Sequence, residues 1–174
     1  MSVNSKLKTQ NSKLVIVALG SNLGDSQKIL SEAMARLQQF SVEPILKSSL
    51  WQTSPVDCPP DSPKFLNAVV ALISPAGETP ESLLENLRAL EKEFGRAQKK
   101  VLNEPRPLDL DLITFGTEVR ATASLALPHP RAHERRFVLQ PLAEIAPDLI
   151  LPGQVQTVAQ LLAGLDNTEC CEKI

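Results

Sequence analysis

Asp109 and Asp111, in the stretch Leu108-Asp109-Leu110-Asp111-Leu112, are the pair whose type and spacing most directly suggest chemistry. Side chains alternate along a strand, so both carboxylates fall on one face and the three leucines on the other. Two neighbouring carboxylates repel unless a positive charge stands beside them, and Mg²⁺ is the hard ion such oxygens hold, usually shared with substrate phosphates. A solvated strand face would also carry two aspartates, so the surroundings decide. Arg106 stands three residues ahead, at the end of a basic stretch with Arg96, Lys99 and Lys100. Arginines on one side of a polyphosphate and metal-binding carboxylates on the other suit a nucleotide site.

A second cluster is His129-Pro130-Arg131-Ala132-His133-Glu134-Arg135-Arg136-Phe137. The histidines are four apart, a spacing that binds metal on a helix. The residue before a proline avoids helical geometry, which argues against that arrangement. His129 and Arg135 read better as donors to phosphate oxygens. Asn67 is a lone amide in an apolar run and shares a strand face with Phe65, so ring and amide together suit a flat heteroaromatic ligand. An edge asparagine satisfied by a loop is the plain alternative. Gly20 to Gly24 (GSNLG) lacks the Gly-Lys-Ser/Thr ending of a P-loop and reads as a tight turn near the site.

These residues need elements to hold them. Apolar runs predict strands over 13–20, 44–51, 64–74 and 108–115, the last in strict alternation. Helical spacing marks 27–40, 80–94 and a C-terminal segment around 158–165, with Asp25 or Ser26 as a cap, Pro80 in a first turn and Gly95 as a stop. The order β-α-β-β-α-β predicts an α+β, ferredoxin-like fold, one antiparallel sheet with helices packed on one face. Residues 53–63 and 96–107 read as loops. Residues 1–12 read as a disordered tail and 13–170 as a single domain.

Composition narrows the function classes. At 174 residues and net charge −2, with aromatics at 3%, nothing favours nucleic acid or an anionic membrane. Neither a signal peptide nor a membrane span is legible. Cys58, Cys170 and Cys171 form no disulfide framework or zinc spacing, and read as thiols of a reducing compartment. A cytoplasmic protein is expected.

Six phrases in order carry a resemblance: ALGSNLGD (18–25), SSLWQTSPV (48–56), FLNAVVAL (65–72), LEKEFGR (90–96), PRPLDLDLITFG (105–116) and LPHPRAHERRFVLQPLAEIAP (127–147). They resemble the 6-hydroxymethyl-7,8-dihydropterin pyrophosphokinase family. The resemblance implies transfer of pyrophosphate from ATP to the pterin hydroxymethyl group, giving AMP, in folate biosynthesis. It implies two Mg²⁺ ions on Asp109 and Asp111, and phosphate contacts from Arg106, His129 and Arg135. Arg96 would be a mobile-loop arginine that assists transfer; Glu91 and Leu112 would belong to the nucleotide side. Phe65 and Phe137 would sandwich the pterin, and Asn67 with Thr53 and Val56 would read its edges. A monomer is expected. Gln98 stands where some relatives carry a second arginine, Asn103-Glu104 where some have Trp-Gly, and Ser124 where some have an arginine.

Overall fold

The computed structural model describes residues 12–54, 61, 63–96, 104–166 and 170–174. Expectations for the tail over 1–11 and for Val56, Cys58, Gln98, Lys99, Lys100 and Asn103 fall outside the described residues.

The frame is an antiparallel sheet. β1 (Leu14–Ser21) lies between β4 (Phe65–Ile73) and the edge strand β5 (Asp109–Phe115). On the far side of β4 lie β2 (Leu46–Lys47) and β3 (Trp51–Thr53), so the single strand expected over 44–51 is two short ones. β8 (Cys171–Lys173) closes that side by pairing with β3. A separate two-stranded ribbon joins β6 (Arg120–Ala121) to β7 (Ala126–Leu127). The ribbon and β8 have no sequence signal of their own, because two- or three-residue strands are too short to display alternation.

Among the described residues, four α-helices cover the sheet: α1 (Ser26–Leu37), α2 (Pro80–Glu93), α3 (Arg136–Ile145) and α4 (Val158–Gly164). Their ends follow local chemistry. Asp25 accepts from the Lys28 N–H at 3.1 Å and caps α1; Thr79 accepts from Ser82 at 3.2 Å and caps α2, with Pro80 in its first turn. Gly95, at φ +87°, ends α2 in the left-handed conformation that glycine reaches without strain.

The expectation of helices on one face is corrected. Val15, Val17 and Leu19 pack with α1 and α2, whereas Ile16 and Ala18 pack with α3 and α4 on the other face. The mainly apolar β1 and β4 require this, since alternate residues on both faces would otherwise meet water. The strict alternation read over 108–115 also needs amendment. The β1–β5 register passes from Ile16–Thr114 to Val17–Leu112, leaving Ile113 as a bulge. Ile113 joins the α3/α4 core, while Leu112 and Phe115 belong to the α1/α2 core. Asp109 and Asp111 lie ahead of the bulge and keep their shared face.

Candidate active site

Register places the chemistry in one row. Asp109 pairs with Gly20, Gly20 with Asn67, Asn67 with Trp51, and Trp51 with Lys173. Directly paired residues share a sheet face. Gly20 leaves the floor of this row open: a Cβ there would stand 3.4 Å from Asn67 Oδ1, 3.8 Å from the Phe65 ring and 4.0 Å from Asp109 Cβ. On the Asp109 side opens a cavity of about 720 Å³ whose wall includes Glu91, Arg96, Arg106, Asp109, Asp111, Leu112, His129 and Arg135. Every residue expected on the nucleotide and phosphate side therefore converges there.

The carboxylates are partnered by arginine. Arg96 bridges Glu91 and Asp109, the latter at 2.7 Å, and Arg106 reaches the other oxygen of Asp109 at 3.0 Å. Arg96 departs from a simple loop arginine, since it is only 18% exposed and held between two acids. Glu91 also accepts from the Leu110 N–H at 2.7 Å, which anchors the end of α2 to β5. Burial pushes the Glu91 carboxyl up to about 7, against the pull of that N–H and of Arg96. Burial, and then the neighbouring Asp109 charge, push Asp111 up to about 6. In both, burial disfavours the charged form by more than the nearby arginines favour it. Among the described residues no group of three or more His, Cys, Asp or Glu forms a metal cage. Two carboxylates plus phosphate oxygens and water is the donor set that Mg²⁺ commonly takes, so the pair fits that ion.

Arg106 is positioned from two sides. Its N–H donates to Asn22 Oδ1 at 2.9 Å, and the Asn22 N–H donates back to its carbonyl at 3.2 Å. The turn read as lying near the site thus grips the backbone of a site arginine. Arg106 Nε is buried without a hydrogen-bond partner among the described residues, a donor suited to an anionic ligand. Its guanidinium lies 5.6 Å from the centre of the Phe65 ring, and that of Arg135 lies 5.4 Å from the centre of Phe137. His129 hangs from β5 by its N–H to the Ile113 carbonyl at 2.8 Å, and its Nδ1 accepts from the Arg131 N–H at 3.3 Å. Burial and the Arg135 charge lower its pKa, favouring the neutral ring, whose Nε2–H is then the donor. His133 is instead beside Glu134, at 3.5 Å, in a short 3₁₀ turn.

The aromatic half is drier. Thr53 and Asn67 are both buried, and Asn67 Nδ2 donates to Thr53 Oγ1 at 2.7 Å. Phe65 follows two residues before Asn67 on β4, and Phe137 opens α3. Sequence reasoning missed Arg88 and Lys92, which line the cavity with Leu84 and the segment Thr122–Ala126. The signal was present: Leu84, Arg88 and Lys92 recur every four residues, which aligns them along one side of α2, and Arg96 follows just past its end. Arg88 donates to the Ser124 carbonyl at 3.2 Å, bringing a cation to the position where an arginine side chain is missing.

Fold and site together define an α+β domain with a cationic cavity built around paired carboxylates. A family model described as 7,8-dihydro-6-hydroxymethylpterin-pyrophosphokinase (HPPK) matches residues 16–147. The chain is 39% identical over 153 residues to the 2-amino-4-hydroxy-6-hydroxymethyldihydropteridine pyrophosphokinase of Synechocystis, covering 88% of this chain and 76% of that one. It is 41% identical over 133 residues to the Bacillus subtilis enzyme of the same name, covering 76% and 77%. It is also 37% identical to the folic acid synthesis protein fol1 of Pneumocystis carinii, of which it spans only 20%. The fold matches a crystal structure of Plasmodium falciparum HPPK-DHPS with pterin and p-hydroxybenzoate at a TM-score of 0.67 and 13% identity, over 89% of this chain and 44% of that one. The chain belongs to the HPPK family. It is a pyrophosphokinase, transferring pyrophosphate from ATP to 6-hydroxymethyl-7,8-dihydropterin in folate synthesis.

Proposed function

We propose that this transfer is magnesium-dependent, with Asp109 and Asp111 as metal ligands and the cavity beside them as the ATP site. Arg106, His129 and Arg135 bind the phosphates, Arg96 assists the transfer, and Glu91 and Leu112 belong to the nucleotide side. The pterin lies against Phe65 and Phe137, its edges read by Thr53, Asn67 and, from the sequence alone, Val56. The observation that carries this reading is the row from Asp109 through Gly20 to Asn67, which sets the paired carboxylates beside the neutral, aromatic half. The domain is taken as residues 13–170, acting as a cytoplasmic monomer; the match to two bacterial pyrophosphokinases over 76% and 77% of their length supports the single-domain part of that choice.

The pterin hydroxymethyl oxygen forms a bond to the β-phosphorus, and the bond from that phosphorus to the oxygen bridging to the α-phosphate breaks. AMP leaves with that oxygen, and the hydroxyl proton is released. Asp109 and Asp111 would hold two Mg²⁺ ions, which would supply charge neutralisation and lower the acceptor hydroxyl's pKa. The protein's part is orientation and charge. Arg106 has its buried Nε available to a phosphate oxygen. Neutral His129 offers a donor without adding repulsion to Arg135. Arg96 leaves Asp109 when a ligand takes that carboxylate, and Glu91 remains as its counter-charge, which keeps the guanidinium beside the reacting phosphates.

Manganese binding tests the metal assignment. Wild-type protein with a non-hydrolysable ATP analogue should bind Mn²⁺, seen as loss of the free-ion paramagnetic signal. Asp111→Asn, folded by circular dichroism, should bind at least about tenfold more weakly. Equal affinity in the two proteins would reject Asp111 as a ligand.

A further inference from the structure

Glu144 belongs to the matched phrase PLAEIAP but to none of the roles above. It projects from α3 toward the far end of the row that begins at Asp109. Its Oε2 accepts from the Ser49 N–H at 2.9 Å and the Trp51 indole Nε1–H at 3.2 Å. Its Oε1 accepts from the Ser49 hydroxyl at 2.7 Å and Lys173 Nζ at 2.9 Å. A carboxylate offers about four lone-pair positions, and all are used. One side chain on α3 therefore ties together the segment leading into β3, β3 itself and β8.

Two walls of the acceptor site depend on those elements. On β3, Trp51 is paired with Asn67, and Thr53, two residues on along the same face, accepts from the Asn67 amide. On α3, Phe137 and Glu144 are seven residues apart, which places them on the same side of the helix two turns from each other. β8 reinforces the tie, since Thr53 pairs with Cys171 and Trp51 with Lys173.

We propose that Glu144 is a positioning residue for the pterin: by fixing Ser49, Trp51 and Lys173 it sets the register of β3 and the seat of α3, and so the separation of Thr53 and Asn67 from Phe137. This rests on the assignment of Thr53, Asn67 and Phe137 to the acceptor. The Asp109 side draws mainly on β5, α2 and the 104–108 segment, which Glu144 does not touch; its one tie to α3 is Arg135, at the opposite end of that helix, nine residues from Glu144. The two substrates should therefore respond differently to its loss.

Steady-state kinetics on the full chain tests this, with Glu144→Gln, Trp51→Phe and Asn67→Ala beside the wild type. A glutamine cannot accept from all four donors, so Glu144→Gln should raise KM for 6-hydroxymethyl-7,8-dihydropterin by about tenfold, the scale of losing a charge-assisted hydrogen bond. KM for ATP and kcat at saturation should stay within about twofold. Trp51→Phe removes one donor and keeps the ring, giving a smaller rise of the same kind. Trp51 is the sole tryptophan, and its emission should shift in Glu144→Gln, reporting the released indole independently of turnover. An unchanged pterin KM in Glu144→Gln while Asn67→Ala raises it would overturn the positioning role alone. Equal rises in both KM values would reduce Glu144 to a general fold contact and also overturn it. If Asn67→Ala leaves the pterin KM unchanged, the acceptor assignment falls, and the role of Glu144 falls with it.

Discussion

The two halves of the site solve opposite problems. Around Asp109 the groups are charged and provisionally paired: Arg96 and Arg106 occupy carboxylate oxygens, and Asp111 and Glu91 are held as unusually weak acids. Around Asn67 the groups are neutral and already satisfied, with Thr53 holding the amide and strand pairing fixing both. On the proposed assignment, a polyanion with its metal brings charges that must displace existing pairs, so that half is suited to exchange partners. A flat, uncharged ring offers only shape and a few hydrogen-bonding edges, so its half must be arranged beforehand.

Breaking the charged half should have the larger consequence. Asp109→Ala or Asp111→Ala should cost about a thousandfold in kcat or more, the scale of removing a principal electrostatic stabiliser. Single-turnover AMP release would measure it, and less than a tenfold loss in a folded variant contradicts the assignment. Arg96→Ala should come next, lowering kcat by about ten- to a hundredfold through the loss of a charge placed for the transition state. Pterin binding, followed by calorimetry, should change little; a defect confined to affinity would remove Arg96 from the transfer step.

The neutral half should show the converse. Asn67→Ala leaves the buried Thr53 hydroxyl without its donor and removes the edge-reading amide, a cost of about 1–3 kcal/mol. That corresponds to a rise in pterin KM of about ten- to a hundredfold with ATP KM little changed. A larger effect on ATP than on pterin would dissolve the contrast between the halves.

The smallest effect concerns pH. Burial raises the Glu144 carboxyl, but the Ser49 hydroxyl, Lys173, the Ser49 N–H and Trp51 outweigh it and bring it down to about 2, from an ordinary 4.5. A carboxyl with a depressed folded pKa contributes stability that is complete above the unfolded value and fades as pH falls through the folded one. The difference in Tm between wild type and Glu144→Gln should thus be constant above about pH 5 and shrink toward pH 2. Lys173 is the cation that faces it, at 2.9 Å. A difference that grows on acidification would give Glu144 the wrong sign.

Much of the charged half was legible because its signals are local. Asp109 and Asp111 declare their common face by alternation, and Arg106 lies three residues away. The neutral half was readable only at Phe65 and Asn67, where one polar residue interrupts an apolar strand. Thr53 gained its place from the family resemblance, since nothing in its neighbours announces a hydroxyl aimed at Asn67. Asn22, Arg88 and Glu144 act through partners 84, 36 and 93–95 residues away in sequence, and such pairings exist only once the sheet forms. The helices on both faces were implicit in the mainly apolar runs of β1 and β4, a pattern that points to burial on two sides. The bulge at Ile113 was hidden, because an inserted residue in an apolar strand leaves the composition unchanged.

The central claim is that this cavity moves pyrophosphate, with metal, to a pterin hydroxyl. Product analysis tests it most directly: purified protein with ATP, Mg²⁺ and 6-hydroxymethyl-7,8-dihydropterin, alongside controls lacking pterin or containing EDTA. Pterin-dependent release of AMP that EDTA abolishes is the predicted result. Release of ADP instead, or AMP formation indifferent to EDTA, would contradict it.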